Sequence, residues 1–388
     1  KGEQRTLLKK SAGIKVHINL NSKPTMLKQF EKIGLKLGDL KRETLLDTGH
    51  PLAVAYAEYS EYKKLCGTYG LSWLAHINPV TNRVHAYFNQ IGAETGRYSS
   101  NHPNFQNIPP VMRPCFEPRP GYVFIDLDYS QMEMCVLAQA SEDPVLRKVI
   151  ESGNDLHSAT ASLMFDIPID QCHKKSEPRK IGKTINFAVI YGMQEYSLAK
   201  KLNLIEQVEN ELRDRGDKKG LRDKNAIVKE AERRAKDYLN QYYSLYSYCR
   251  TYMDMLEELP FQRGYSETLY GRKRWYNLPN PVEMDNDQYK KQVAGIKREA
   301  RNMPIQGTNA DITKIADLML FNRFRSQGSD NVTVNVIHDE VIVEVKETNA
   351  EETFEEIKAD MLAAAKVVLP DVTVTVAGQI CDKWPMKD

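Results

Sequence analysis

The segment YVFIDLDY, residues 122–129, is apolar or aromatic at five of its first six positions, yet places aspartates at 126 and 128. A second apolar run, VIHDEVIVE, is broken by His338, Asp339 and Glu340. A strand that ends in acid needs something to satisfy the charge. If the two strands are neighbours, Asp128 and Asp339 meet at one edge of a sheet. Like charges that close repel unless a cation separates them. Oxygen ligands favour a hard divalent ion, Mg²⁺ before Zn²⁺. Two such ions roughly 3.5–4 Å apart would clamp the attacking and leaving oxygens of a phosphoryl displacement. An isolated Asp more often caps a turn or helix, so the inference rests on the pair. Asp126 points the same way as Asp128 but one step deeper, and is read as structural.

A second constellation is RKIGKTINFAVIYG, residues 179–192. Arg179, Lys183, Phe187 and Tyr191 recur every four residues. On a helix they cover roughly 120° of one face and about 18 Å of its length. Cations occupy the N-terminal end, which the helix dipole also makes positive. Aromatics occupy the other end. A polyanion with a flat head, such as a nucleoside triphosphate, would lie along this face in one direction only. Arg179 suits a terminal phosphate through its planar fork, and Lys183 supplies a point charge nearer the reacting phosphorus. The competing reading is an amphipathic helix whose two aromatics face the core. Pro178 marks the helix start. Gly182 costs up to about 1 kcal/mol against Ala in a helix, and suits a close approach or a bend.

These side chains need a scaffold. Residues 122–128 read as a strand and 129–140 as a helix closed by SEDP. NVTVNVIHDEVIVEV, residues 331–345, alternates on both arms of a hairpin bent at His338-Asp339-Glu340. A helix follows at 350–368, then a last strand, VTVTVAG. The three strands at 122–128, 332–337 and 341–345 predict one antiparallel sheet with helices on one side, an α+β layer. Helices dominate from about 144 to 260. Further helices are expected at 24–37 and 51–69, and NPVTNR reads as a turn within an irregular stretch, 76–110. Residues 208–237 carry dense charge of both signs, read as exposed and partly helical with breaks at Gly216 and Gly220. Tyr238, Tyr242 and Tyr246 form a stripe better suited to packing than to base stacking.

With 388 residues, 41% apolar and 27% charged, the chain suits a soluble globular protein of two or three subdomains. No run of 18 apolar residues is present, so no membrane partner is expected. The start lacks the apolar core of a signal peptide. Six cysteines without a CxxC pair argue against zinc and a disulfide framework, and for an intracellular, reducing setting. Net charge is +2, but residues 1–44 hold 11 Lys or Arg against 4 Asp or Glu. A basic front segment beside a mildly acidic body suits a nucleic-acid grip set apart from a metal site. A solvated lysine-rich helix face would give the same count.

Taken together, DYSQMEMCVLA, RKIGKTINFAVIYG and VIHDEVIVE resemble three motifs of the family A DNA polymerases, of bacterial polymerase I and phage type. TGRYSSNHPNFQNIP, residues 95–109, and RNMPIQGTNADI, residues 301–312, are similar to two more. The resemblance runs from about Ile18 to the DKWP near the end. It implies a right-hand polymerase fold with an antiparallel palm sheet, helical fingers and a partial helical thumb. On that pattern residues 1–75 are the thumb, 76–150 and 291–388 the palm, and 151–290 the fingers with the charged insertion.

The implied activity is DNA-templated addition of deoxynucleoside triphosphates to a primer 3′ end. The implied cofactor is two Mg²⁺ ions, with Mn²⁺ able to substitute. The implied partner is primer–template DNA, and the chain is expected to act as a monomer. Asp128, Asp339 and the Tyr129 carbonyl would hold the metals, and Glu340 would assist. Arg179, Lys183 and His157 would hold the triphosphate, with Lys183 as general acid toward pyrophosphate. Phe187 would lie against sugar and base, with Gln131 also in the nucleotide site. Glu133, partnered by Tyr191, would exclude a ribose 2′-hydroxyl. Arg97, Arg298, Gln306 and His338 would contact the primer end and its base pair. Asn104 and Asn107 would touch the nucleic-acid backbone.

The sequence departs from the family pattern at Cys135, where a basic residue is common, at Ile181-Gly182 and in the 208–237 insertion. The thumb reads as short at its front and no nuclease motif precedes it, so a fragment or processed domain is expected. Two other readings stay open: a single-subunit RNA polymerase relative, and a catalytically silent module that binds primed DNA.

Overall fold

The computed structural model describes residues 18–386, with the backbone of two short paired strands, Leu7–Leu8 and Lys15–Val16. Part of the basic front segment, residues 1–17, therefore lies outside the described residues apart from those strands. The chain divides into two units, Lys1–His85 and Ala86–Asp388. The hairpin Ile77–Asn78 with Arg83–Val84 belongs to the first unit. Its turn is the expected one: Asn78 accepts hydrogen bonds from the N–H groups of Val80 and Thr81.

The first unit is built on helices Lys23–Lys32 and Pro51–Tyr69 around Met26, Phe30, Leu45, Ala53, Tyr56 and Ala57. Ser22 caps the first helix by accepting from the Thr25 N–H. That helix stops five residues earlier than the apolar period suggested. Gly34 takes a left-handed φ of +87°, and the Leu35 N–H returns to the Phe30 carbonyl. This is a glycine C-terminal cap, after which Leu35 and Leu37 still pack on the small core.

The second unit centres on a four-stranded antiparallel sheet. Its elements, in chain order, are β1 (Tyr122–Tyr129), α1 (Met132–Ser141), α2 (Leu156–Phe165), α3 (Glu177–Ile190), α4 (Asn286–Ser326), β2 (Val332–Ile337), β3 (Glu340–Lys346), α5 (Ala350–Val368) and β4 (Val376–Cys381). The spatial order is β2-β3-β1-β4. Leu127 faces Val341, Ile125 faces Val343 and Val123 faces Val345. Together with Tyr129, these side chains form one face, packed into the main core with Met132, Leu137, Ile357 and Met361 from the helices. Tyr242 and Tyr246 are fully buried in the same core, which makes that stripe a packing element.

The other face carries acid. Asp128 stands opposite Glu340, and Phe124 opposite Glu344; Asp126, on the same face, is fully buried. Acids directly across a ladder repel. The chain around 105–119, with short 3₁₀ helices at Phe105–Asn107 and Pro110–Cys115, supplies cations to this face. Arg113 lies 3.6 Å from Glu340, and Arg119 pairs with the fully buried Glu344. Phe105, Phe116 and Trp384 stack edge-on along the same cover.

Three features differ from expectation. The last strand begins at Val376 rather than Val372, because β1 ends at Tyr129, the partner of Val376. Val372 keeps its core position without a ladder. The 208–237 stretch is more ordered than its composition suggests. Helices Leu204–Asp214 and Lys224–Leu245 bury Leu204, Val208, Ile227 and Ala231 between them, and Arg234 forks onto Glu211 at 2.7 and 2.8 Å. Finally, α4 runs for 41 residues through a region with no helical reading. No helix among the described residues is long and apolar enough to cross a membrane.

Candidate active site

The β1 and β3 ends meet as the two acidic runs suggested. The Tyr129 N–H donates to the Asp339 carbonyl at 3.3 Å, while Asp128 lies opposite Glu340 in the ladder. His338 takes a left-handed φ of +58°, and this turns the chain so that Asp339 follows at the sheet's end. Burial pushes the Asp339 carboxyl up to about 6. The charges of Glu133 and Glu340 push the same way, and Arg97 opposes them. A carboxyl that resists ionisation when alone, among other acids, is a place where a cation would be stabilising. Among the described residues no three His, Cys, Asp or Glu side chains form a closed metal cage. A two-carboxylate set fits Mg²⁺, which commonly takes one or two protein carboxylates and completes its shell with water and substrate phosphate.

Helix α3 starts where Ser176 accepts from the Arg179 N–H, with Pro178 in its first turn. Arg179 donates to both oxygens of Asp155, from Nε at 2.8 Å and from Nη2 at 2.9 Å. Lys183, one turn on, is exposed and has no ion pair or hydrogen bond among the described residues. The rings of Phe187 and Tyr191 are stacked, 6.2 Å apart at 28°. Gly182 faces α2: a Cβ there would lie 2.8 Å from the His157 carbonyl and 3.1 Å from the Ala161 methyl. The glycine therefore serves a close helix crossing.

Tyr191, the residue after α3, reaches across to α1. Its phenol lies 3.2 Å from both carboxylate oxygens of Glu133, and Arg97 Nη2 donates to Glu133 Oε1 at 3.0 Å. Burial, then the Glu133 charge, raises the Tyr191 pKa, so the phenol stays a donor; Gln306 also reaches it. Gly192, at φ +58°, brings this corner against α4: a Cβ would sit 3.5 Å from the Arg298 Cα. Glu133, Tyr191, Arg97, Gln306 and Asp339 thus share one corner, drawn from residues more than 200 apart in sequence.

Comparison with known proteins shows the family of this chain. The family model described as DNA polymerase family A matches residues 9–386. The chain belongs to DNA polymerase family A. Among curated relatives, DNA polymerase I of Borreliella burgdorferi is 34% identical over 380 residues, covering 93% of this chain and 37% of that protein. The thermostable DNA polymerase I of Thermus filiformis is 33% identical over 373 residues, covering 91% of the chain and 40% of that protein. The chain thus spans about two-fifths of the length of these relatives. Among solved structures, the POL domain of Pol1 from M. smegmatis, in complex with DNA primer-template and dNTP, matches with a TM-score of 0.78. It is 27% identical, and the match covers 95% of this chain and 61% of that one. The four-stranded sheet is the palm of this α+β fold.

Other expected site residues of this family A chain fall in different settings. His157 is buried, its Nδ1 accepting from the Asn186 amide at 2.9 Å, and its ring is 5.6 Å from Phe187. Burial lowers its pKa to about 4, so the imidazole is neutral at pH 7. Gln131 is exposed in a left-handed turn just ahead of α1. His338 is exposed, with Arg97 and Glu340 as charged neighbours. Arg298 is exposed on α4. Asn104 caps its own short 3₁₀ turn by accepting from the Gln106 N–H, and Asn107 is exposed three residues on. Two contacts had no sequence signal: the Arg97–Glu133 pair, 36 residues apart, and the Asp155–Arg179 pair, 24 apart.

Proposed function

We propose that this chain is a DNA-templated DNA polymerase that extends a primer 3′ end with deoxynucleoside triphosphates and releases pyrophosphate. One observation carries the reading. The ends of β1 and β3 bring Asp128 and Asp339 to one edge, and the Glu133–Tyr191 contact joins that corner to the cationic and aromatic face of α3. The similarity to a polymerase domain solved with primer-template and dNTP supports the same assignment.

Asp128 and Asp339, with the Tyr129 carbonyl, would hold two Mg²⁺ ions, and Glu340 would assist at their edge. Metal held there would supply a lowered pKa for the primer hydroxyl and neutralisation of charge on the leaving oxygens. Arg179 forks onto the terminal phosphate. Lys183 delivers a proton to the departing pyrophosphate. Phe187 lies against sugar and base, and Gln131 borders them. Glu133 stands in the space of a 2′-hydroxyl, its carboxylate fixed by Arg97 and Tyr191. Tyr191 also fills the templating base's place until α3 rotates toward the palm and excludes water. Arg97, Arg298, Gln306 and His338 hold the primer end; Asn104 and Asn107 meet the nucleic-acid backbone. Duplex affinity rests on phosphate contacts and falls steeply with salt.

Primer extension by this chain with Mg²⁺ and each nucleotide class is the test. Template-directed deoxynucleotide addition is expected. Preferred ribonucleotide addition would make it an RNA polymerase. Duplex binding that survives Asp128→Ala, with no extension by the unmutated chain, would make it a silent binding module.

A further inference from the structure

Arg179 is gripped from the side. Asp155 Oδ1 accepts from its Nε and Asp155 Oδ2 from its Nη2. Asp155 is itself immobilised as the N-cap of α2: the Ser158 N–H and hydroxyl each donate to Oδ1 at 2.8 Å. Burial works against the charged carboxylate, but the bonds from Arg179 and Ser158 outweigh it and hold the carboxyl well below its usual range. The Arg179 side chain is only 13% exposed, so few orientations are open to it.

A guanidinium presents five N–H donors in a planar fork. Asp155 takes the Nε edge. Both Nη1 protons and the outer Nη2 proton are left, and the side chain makes no other hydrogen bond among the described residues. Those three protons form the end-on fork that matches two oxygens of a phosphate. The carboxylate thus selects which edge of the guanidinium is presented. His157, neutral beside it, adds no competing charge.

We infer that Asp155 is a positioning residue for nucleotide binding, which locks Arg179 edge-on so that its free fork meets the terminal phosphates of the incoming deoxynucleoside triphosphate. The inference rests on the polymerase reading. It opposes the alternative in which Asp155 competes with the phosphates for Arg179, since the two give opposite signs on substitution.

Asp155→Asn separates them. Asn caps a helix about as well as Asp, so Oδ1 keeps its partners while an amide N–H₂ now faces Nη2. The measurement is equilibrium binding of the templated deoxynucleoside triphosphate, with Mg²⁺, to the full chain on a primer–template ending in a dideoxynucleotide. D155N should weaken nucleotide binding about tenfold, as the loss of one charge-assisted bond implies. Primer–template Kd should not change. In an Arg179→Ala background D155N should have no further effect. Tighter nucleotide binding by D155N, or an equal loss in the R179A background, overturns the inference. If D155N lowers the thermal midpoint by several degrees, Asp155→Ser, which keeps a cap and removes the grip, is read in the same cycle. An unmutated chain that binds the nucleotide but extends no ordinary primer removes the polymerase reading, and the cycle still decides Asp155. One that binds no nucleotide overturns both.

Discussion

The phenol of Tyr191 lies 3.2 Å from each carboxylate oxygen of Glu133, joining the end of α3 to the start of α1. Arg97 Nη2 donates to Oε1 of the same carboxylate at 3.0 Å, and the Glu133 and Arg97 side chains are only 12% and 18% exposed. A group held at two points can exclude a substrate atom by shape. Glu133→Ala should therefore raise ribonucleotide use, with the ratio of kcat/KM values for ribo- over deoxynucleotide rising about 10²-fold, in the range an ill-fitting hydroxyl can cost. Tyr191→Phe keeps the Arg97 anchor and should raise that ratio much less. An unchanged ratio in E133A would remove Glu133 from sugar selection.

Asp339 carries a cost for its place. Its pKa is raised from 3.8 to about 6, chiefly by burial. The folded state then binds more protons than the unfolded one between these values, so stability falls as pH rises through that window. Above pH 6 the charged group should cost up to about 3 kcal/mol in the metal-free chain, at 1.36 kcal/mol per unit. Asp339→Asn should raise the thermal midpoint at pH 8 with chelator present, narrow the gap at pH 4, and abolish extension without weakening duplex binding. A lower midpoint at pH 8 would contradict this.

The parts of this corner that periodicity can report were legible. β1, the 332–345 hairpin and α3 each repeat with a strong period, and Asp128, Asp339, Arg179 and Lys183 fall at their ends or along one face. What failed is equally physical. α4 contains Gly295, Pro304 and Gly307, all poor helix formers, and residues 303–313 are buried on every side, which erases the amphipathic pattern. Its Gly307 is where Thr268 and the Thr95 carbonyl come close, at 2.7 and 3.3 Å from a built Cβ. The acid face of the sheet was half visible: Asp126 reads as structural from alternation, but Arg113 comes from a short 3₁₀ helix, Pro110–Cys115, and Arg119 from the loop after it, neither of which has a period to read. Long-range pairs such as Arg97–Glu133 leave no mark in spacing.

Lys183 is exposed on the cationic face and has no ion pair among the described residues, which suits an ammonium that meets a substrate. As a general acid it would be worth about 10²–10⁴ in rate. Lys183→Ala should lower the single-turnover rate of incorporation within that range and leave primer–template Kd within about twofold. Lys183→Arg keeps charge but donates a proton poorly. It should restore nucleotide affinity more than rate. Equal recovery of both would assign Lys183 to charge alone.

Arg119 tests the covered side of the palm sheet. It donates through both its backbone N–H and its Nε to Glu344, which is fully buried on β3. The Arg119 side chain is 36% exposed and its backbone bond to Glu344 survives substitution, so losing the guanidinium should cost less than the about 3–5 kcal/mol of a fully buried pair, the remaining carboxylate keeping its desolvation penalty. Arg119→Ala should therefore destabilise the chain measurably in chemical denaturation. Replacing both partners, Arg119→Met with Glu344→Leu, should recover most of the loss, since apolar replacement of a buried pair is often neutral. A double variant no better than R119A would mean that Arg119 acts through its packing on Tyr122, 3.9 Å from the ring centre, and not through the carboxylate.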